Sequence, residues 1–322
     1  MQAIKPYTQI YDDINKPLDI MKKIEVCGRV CYKSENKIEE GSAEKFVSNI
    51  IKRGHESVLE HGTFIFKVDA DVYRTLKGIV EVLQESYTFK SFLRFTNDIN
   101  HLVSGNVRAW RDFLKACDKN LYFIPTCMKK FLNENPILFP EFQSEPIDLI
   151  STSKFTQITT ADFVTENEKL THWDVTVKFV IDRGISHEVV RHRPASFSQE
   201  STRYCNYSKD DFGSEITFII PSFLDYKCAG WSEWKNAMKN AETDYFKLLD
   251  IGLTAQEARS VLPNSLKTEV VMTTNLATWK HFFTVRTTNA AHPQMREVAK
   301  PLLVCMKELI PNVLDDITDQ KG

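Results

Sequence analysis

His187-Glu-Val-Val-Arg-His-Arg-Pro-Ala-Ser-Phe-Ser-Gln-Glu-Ser-Thr-Arg-Tyr204 is the densest cluster of polar and basic side chains in the chain. A zinc-protease reading of it fails on spacing. Two imidazoles share a helix face at i and i+4. His187 and His192 stand at i and i+5, roughly 140° apart at 100° per residue, so no metal site is predicted. Arg191, Arg193 and Arg203 admit two readings. Three guanidiniums at a helix end and the following loop suit phosphate or an anionic ring, because each can bond two acceptors at once. Ser196, Ser198, Ser201 and Thr202 add short hydroxyl donors beside them. Taken as a bare cluster, the same residues fit a solvated loop better.

Outward from this cluster the periodicity alternates between helix and strand. Gly184 to Arg193 reads as a helix stopped by Pro194, which has no donor and clashes in a helix interior. Val175 to Val180 before it reads as a strand. After it come a strand at Glu215–Ile220, an amphipathic helix at Trp231–Leu249 and a capping box at Thr254-x-x-Glu257. A strand at Lys267–Thr273, a helix at Asn275–Thr284 and a last helix from about Pro293 to Leu309 complete this half. Toward the N-terminus, Asn15 and Pro17 open a helix with Ile20, Met21, Ile24, Cys27 and Cys31 on one stripe. Ser42 caps a second helix carrying Phe46, Ile50 and Ile51. A strand at Thr63–Val68 and a helix at Val72–Leu83 follow. From about 84 to 171 the chain is polar and aromatic, and Pro125, Pro136, Pro140 and Pro146 break long elements. Only Gly105–Leu114 reads as firmly helical there. Helices and strands mix without a βαβ rhythm, which predicts an α+β fold.

The 322 residues suffice for one large domain or two small ones, and 42% hydrophobic with 26% charged residues is ordinary for a globular chain. A net charge of -2 provides no global field for nucleic acid or an acidic membrane. Any anion must therefore be met by local arginines. Seven scattered cysteines form no disulfide framework and read as free thiols. The polar start lacks a signal core, and no apolar run approaches the ~18 residues of a membrane helix. A cytoplasmic protein is expected.

The full spacing reweights the arginine cluster. Arg191-His192-Arg193, seven residues, then Ser201 and Arg203-Tyr204 resembles the signature of the flavin-dependent thymidylate synthases. Three more blocks agree in order: Gly54-His-Glu-Ser-Val-Leu-Glu-His61, Ala258-Arg259-x-x-Leu262-Pro263, and Asn275-x-x-x-Trp279-x-x-Phe282-Phe283-x-x-Arg286. The resemblance covers roughly 25–70 and 172–310. It implies one domain over 1–322 of that family's α+β type, interrupted by an insertion at about 69–171. It further implies transfer of a methylene group from methylenetetrahydrofolate to deoxyuridine monophosphate (dUMP), completed by a hydride from FAD that NADPH has reduced. A homotetramer is implied by the same analogy, with no nucleic-acid or membrane partner. None of the seven cysteines follows a proline, as the nucleophile of the other thymidylate synthases does. Only Cys205, beside Arg203, is even a faint candidate.

The resemblance also implies roles. Arg286 would polarise the uracil, and Ser201 and His55 would be the other catalytic positions. Arg191, His192, Arg193 and Pro194 would lie along the flavin, with His55, Ser57, Gln199, Asn275 and His281 completing its site. Glu188, Arg191, Gln199, Ser201, Thr202, Arg203, Arg259 and Arg286 would surround the nucleotide. Some positions depart from the family pattern. Glu188 and Gln199 stand where Gln and Glu are usual, His281 replaces Asn, Ala277 replaces Arg, and Cys31 replaces Ser. These changes motivate a second class, a catalytically degenerate relative that binds nucleotide or flavin or acts as a scaffold. One further pattern lies in the extra stretch. Val103-Ser-Gly-Asn-Val-Arg-Ala-Trp-Arg-Asp-Phe-Leu114 resembles Met272-Thr-Thr-Asn-Leu-Ala-Thr-Trp-Lys-His-Phe-Phe283, with Asn106, Trp110 and Phe113 on Asn275, Trp279 and Phe282. Chance similarity of two amphipathic helices and an internal duplication are both open. Duplication would bring Asn106 and Arg108 near the cofactor site.

Overall fold

Alternation in Thr63-Phe-Ile-Phe-Lys-Val68 sends Phe64, Phe66 and Val68 into a core, and this segment is a strand as the period of two requires. The structure, a computed structural model, describes residues 1–12, 19–83, 87–144, 153–203, 205–208 and 215–317. In chain order its strands are β1 (Gln2–Ile4), β2 (Tyr7–Ile10), β3 (Thr63–Val68), β4 (Arg94–Thr96), β5 (Leu102–Asn106), β6 (Phe155–Gln157), β7 (Asp174–Asp182), β8 (Ser196–Gln199), β9 (Thr217–Ile219) and β10 (Lys267–Asn275). Its helices are α1 (Ile20–Arg29), α2 (Ser42–Lys52), α3 (Ala70–Val82), α4 (Tyr87–Phe92), α5 (Val107–Lys119), α6 (Thr126–Glu134), α7 (Glu166–His172), α8 (Arg183–Val189), α9 (Gly230–Asp250), α10 (Ala255–Ala258), α11 (Leu276–Arg286) and α12 (Pro293–Leu309). The mixture is α+β, as expected.

Two antiparallel four-stranded sheets organise the described residues, in the orders β4-β5-β3-β6 and β2-β7-β10-β8, and β1 pairs with β9 in a small parallel ribbon. Each large sheet has its own apolar core. Phe64, Phe66, Trp110, Phe113, Phe131 and Phe139 fill the first, and Phe179, Trp279, Phe282, Phe283 and the buried stripe of α12 fill the second. β10 is buried along almost its whole length because both faces are covered. Val270 and Met272 enter the second core, while Val271 meets Cys27 and Val30 near α1.

The sheets meet across a polar seam. Arg94 forks onto Asp174 (2.6 and 2.7 Å), and Thr63 Oγ1 donates to the same carboxylate at 2.6 Å. Arg94 thereby lowers the Asp174 pKa even though burial opposes the charge. Such a buried pair adds little net stability but is costly to break, so it fixes how the halves mate.

Several boundaries differ from the sequence reading. Asp19 caps α1, its carboxylate accepting from the amides of Met21 and Lys22, while Asn15 and Pro17 lie outside the described residues. Gly41, with φ of 77°, occupies the cap of α2 in place of Ser42, whose hydroxyl donates to Glu25 instead. The helix expected to reach Arg193 ends at Val189. Arg191 and His192 amides bond three residues back, to Glu188 and Val189, a tightening common at helix ends. Pro194 accounts for this, since it disfavours helical backbone at the residue before it and clashes four residues back. Within 84–171, strands β4, β5 and β6 appear beside the expected helix, and β5 pairs with β3. Strands this short, with Gly105 in one of them, carry little periodicity. Gly105 itself is required: an added Cβ would stand 2.4 Å from Leu93 and 3.1 Å from the Trp110 indole nitrogen.

Candidate functional site

α8 is the hub of the basic cluster. Its N-cap Asp182 accepts from the amide of Ile185. Successive residues at 100° intervals then point three side chains in three directions. Ser186 Oγ accepts from Gln199 Nε2 at 3.1 Å. His187 lines a cleft of about 310 Å3 shared with Arg183, Thr202 and Arg259. Glu188 turns to Arg286.

Arg286, at the end of α11, makes a three-way junction. Its NH1 donates to Glu188 Oε2 at 2.5 Å, its Nε to His192 Nε2 at 2.9 Å and its NH2 to the Glu188 carbonyl at 3.3 Å. That carbonyl also accepts from the Arg191 amide, in the tightened end of α8. Accepting at Nε2 makes His192 the neutral tautomer with hydrogen on Nδ1. Burial, with the Arg286 charge and His281 adding to it, lowers its pKa to about 4. The Phe282 ring edge lies against it, with centroids 4.8 Å apart. Arg191 and Arg193, on either side of buried His192, are exposed.

The second cluster gathers at the cleft. Arg259 NH1 donates to Thr202 Oγ1 at 3.1 Å. The Ser201 amide donates to the Cys31 carbonyl at 3.1 Å, and Ser201 Oγ accepts from the Arg203 amide at 3.3 Å. Arg183, His187 and Arg259 give this cleft donors suited to an anion. Arg183 escaped the sequence reading, because a lone arginine at a helix start carries no spacing signal. Cys205 is buried, and burial pushes its thiol up to about 12, so it is no activated nucleophile.

Not every expected residue joins these clusters. Gln199 Nε2 is used by Ser186 and Thr268, away from Glu188, so the unusual Glu188 and Gln199 serve separate partners. Asn275 is spent on structure: its Oδ1 caps α11 through Thr278 and its Nδ2 donates to the Thr171 carbonyl. His281 is exposed, 5.9 Å from the His192 ring between centroids. His55 and Ser57 are exposed at the start of the 3-10 segment Glu56–His61. That segment reaches β8 through Glu60 and His61, the Glu60 carbonyl accepting from Ser196 Oγ at 3.3 Å. Arg108 meets the same segment, pairing with Glu60 at 2.7 Å. Asn106 Nδ2 is buried without a hydrogen-bond partner among the described residues and lines a narrow crevice with Glu60, Pro194, Ser196 and Asn275. The orphaned donor beside Pro194 is left for an acceptor atom of a bound group, and the crevice itself, about 10 Å3, admits only a water-sized one.

A neutral histidine and a carboxylate sharing one arginine, with a cleft of cationic donors opening beside His187, define a class of site suited to an anionic ligand. Comparison with known proteins gives the family. The sequence model of the thymidylate synthase complementing proteins matches residues 14–77 and 164–312, and the chain belongs to that family. Residues 78–163 lie outside the match. The flavin-dependent thymidylate synthase of Thermococcus kodakarensis is 38% identical over 131 residues, 40% of this chain and 53% of that protein. That of Geobacter sulfurreducens is 33% identical over 136 residues, 42% and 57% of the two chains. That of Corynebacterium diphtheriae is 32% identical over 145 residues, 42% and 58%. The chain thus spans about half the length of the curated relatives it matches.

Proposed function

We propose that this protein is a flavin-dependent thymidylate synthase, converting dUMP to dTMP with methylenetetrahydrofolate as carbon donor, FAD as cofactor and NADPH as reductant. The observation that carries the reading is Arg286, held by Glu188 and neutral His192 at the end of α11. A guanidinium fixed on two sides is a preorganised cation for the charge that develops on a uracil carbonyl. Arg259, Arg203, Ser201 and Thr202 supply charge-assisted and hydroxyl donors for the nucleotide phosphate. Arg191, His192, Arg193 and Pro194 would hold the flavin, which when bound and reduced supplies the hydride that completes the methyl group. Among the described residues no helix is long and apolar enough to cross a membrane. A homotetramer working in the cytoplasm completes the proposal.

The test is an absorption spectrum of purified protein after FAD addition, followed by assay of dTMP formation from dUMP, methylenetetrahydrofolate and NADPH. A flavin spectrum retained through gel filtration, with dTMP formed, is the expected result. Protein that retains FAD without forming dTMP would favour the degenerate relative. Protein that retains none would refute the reading.

A further inference from the structure

The two large sheets repeat one another in strand order and register. The order β6-β3-β5-β4 has its counterpart in β2-β7-β10-β8. In the first, Thr63 opposes Asn106 and Arg94 opposes Ser104. In the second, Asp174 opposes Asn275 and Ser196 opposes Thr273. Placing Asn106 on Asn275 therefore places Ser104 on Thr273 and Thr96 on Ser198. The correspondence continues beyond the sheets. Asn106 caps α5 through the Ala109 amide as Asn275 caps α11 through that of Thr278. The first amide of α5 donates to Gly62 and that of α11 to Trp173, at 2.8 and 3.0 Å. Trp110 and Trp279 each pack edge-on against the phenylalanine three residues later.

The relation between the copies is reciprocal. β2, which opens the first copy in the chain, pairs with β7 of the second, while β6, which opens the second, pairs with β3 of the first. His61 crosses from the first copy to the second, its Nε2 bonded to Ser198 Oγ at 2.9 Å and its Nδ1 to Thr273 Oγ1 at 2.7 Å. His172 crosses the other way, its Nε2 to Thr96 Oγ1 at 2.9 Å and its Nδ1 to Ser104 Oγ at 2.7 Å. Contacts of the form i to j and j to i are the mark of a two-fold interface between like bodies. Here the bodies share one chain. Their chemistry is unequal: Arg286 of α11 corresponds to buried Cys117 of α5, and His281 to Asp112.

We infer that residues 7–119 and 155–286 are tandem copies of one unit, that only the second keeps the nucleotide-facing arginines, and that His61 of the first is a positioning residue for them. β8 leads directly into Gln199, Ser201, Thr202 and Arg203. The segment is tied from the first copy at two points, by His61 on Ser198 and by the Cys31 carbonyl on the Ser201 amide. His172 makes the same pair of bonds at the same depth onto β4 and β5, strands that lead to none of the nucleotide donors. The molecule thus contains its own control: two histidines equal in structural work, one of them behind the nucleotide donors. A displacement of about 1 Å at such donors is enough to weaken a site severely.

The inference rests on the proposed activity, and its experiment separates the two. His61→Asn, His172→Asn and Ser198→Ala are made in the full chain, loaded with FAD. Melting temperature and dUMP affinity by calorimetry are measured well below the melting transition. Both histidine variants are expected to lose comparable thermal stability. His61→Asn and Ser198→Ala should weaken dUMP binding about tenfold, the scale of one lost hydrogen bond, and their combination should weaken it no further. His172→Asn should bind dUMP as wild type does. If His61→Asn fails to fold, Ser198→Ala carries the test, since it spares the His61 bond to Thr273. Unchanged dUMP affinity in Ser198→Ala or His61→Asn, or an equal loss in His172→Asn, would overturn the inference alone. Wild-type protein that binds no dUMP would overturn it together with the proposed activity.

Discussion

Arg286 has three acceptors from only two residues, and its planar fork is what allows this. A lysine keeps the charge but cannot hold the Glu188 carboxylate and the His192 ring at fixed angles together. Arg286→Lys is therefore expected to fold normally and lose about tenfold to a hundredfold in turnover, ~1.4–2.7 kcal/mol of barrier. Steady-state dTMP formation checks it, with reduction of the flavin by NADPH as the step expected to change least. Near-normal turnover would remove Arg286 from the chemistry. Ser201 leads to the opposite expectation. The His192 nitrogen that could act as a base is engaged by Arg286, and Ser201 Oγ already accepts from the Arg203 amide. No base addresses it among the described residues, so it is expected to act by hydrogen bonding and not as a nucleophile. Ser201→Ala should keep measurable turnover with a raised KM for dUMP. Trapping a nucleotide bonded covalently to Ser201 would contradict this. At this scale the arginines and serines were legible, because their types and spacing are properties of the chain. The use of Asn275 as a cap and as a tie to Thr171 was not, because its second partner is 104 residues away.

α5 and α11 are the same element built twice, with two side-chain bonds fewer in the first: Trp279 Nε1 donates to the Val175 carbonyl and Asn275 Nδ2 to that of Thr171, while Trp110 Nε1 and Asn106 Nδ2 are unpaired among the described residues. Both asparagine caps satisfy an amide of the first turn, worth about 1 kcal/mol. Asn275 adds a donation to the Thr171 carbonyl, worth about 0.5–1.5 kcal/mol more, while Asn106 Nδ2 has no partner among the described residues. Asn275→Ala is therefore expected to destabilise by about 1.5–2.5 kcal/mol and Asn106→Ala by about 1 kcal/mol. Urea denaturation of the two variants measures the difference. A larger loss in Asn106→Ala would show that the orphaned amide is satisfied in solution by a strong ligand or water. Long amphipathic elements were legible in sequence: α9 and α12 fall within a residue of expectation, because fifteen or more residues of one period outweigh local accidents. α8 ran short because Pro194 acts several residues ahead of itself. β4, β5 and β6 were missed because three to five residues give too few repeats of a two-residue period.

The two largest apolar cores among the described residues are joined through buried, uncharged histidines, and this makes stability depend on pH. Burial lowers the pKa of His61 to about 3, with the Lys23 charge assisting, and that of His172 to about 3, with Arg94 assisting. The unfolded chain binds these protons near 6.5, the folded chain only near 3. As pH falls below 6.5 the unfolded state alone takes up protons, so stability drops by about 1.4 kcal/mol per pH unit for each histidine. Two units of acidification should cost ~5 kcal/mol for the pair, a large share of a domain's stability. Melting temperature is expected to hold above pH 7 and to fall steeply from pH 6 to 4, and the fall should be shallower in His61→Asn. Equal slopes in wild type and variant would remove His61 from the acid response. By itself the sequence determined the α+β class and the family, through four blocks of its pattern, because each depends on residue type and on spacing along the chain. Only the tertiary structure decided that His61 and His172 exchange partners between like sheets, that Arg286 is shared by Glu188 and His192, and that Gln199 faces elsewhere. These depend on strand register across more than sixty residues of chain, where a shift of one position would turn every side chain to the other face.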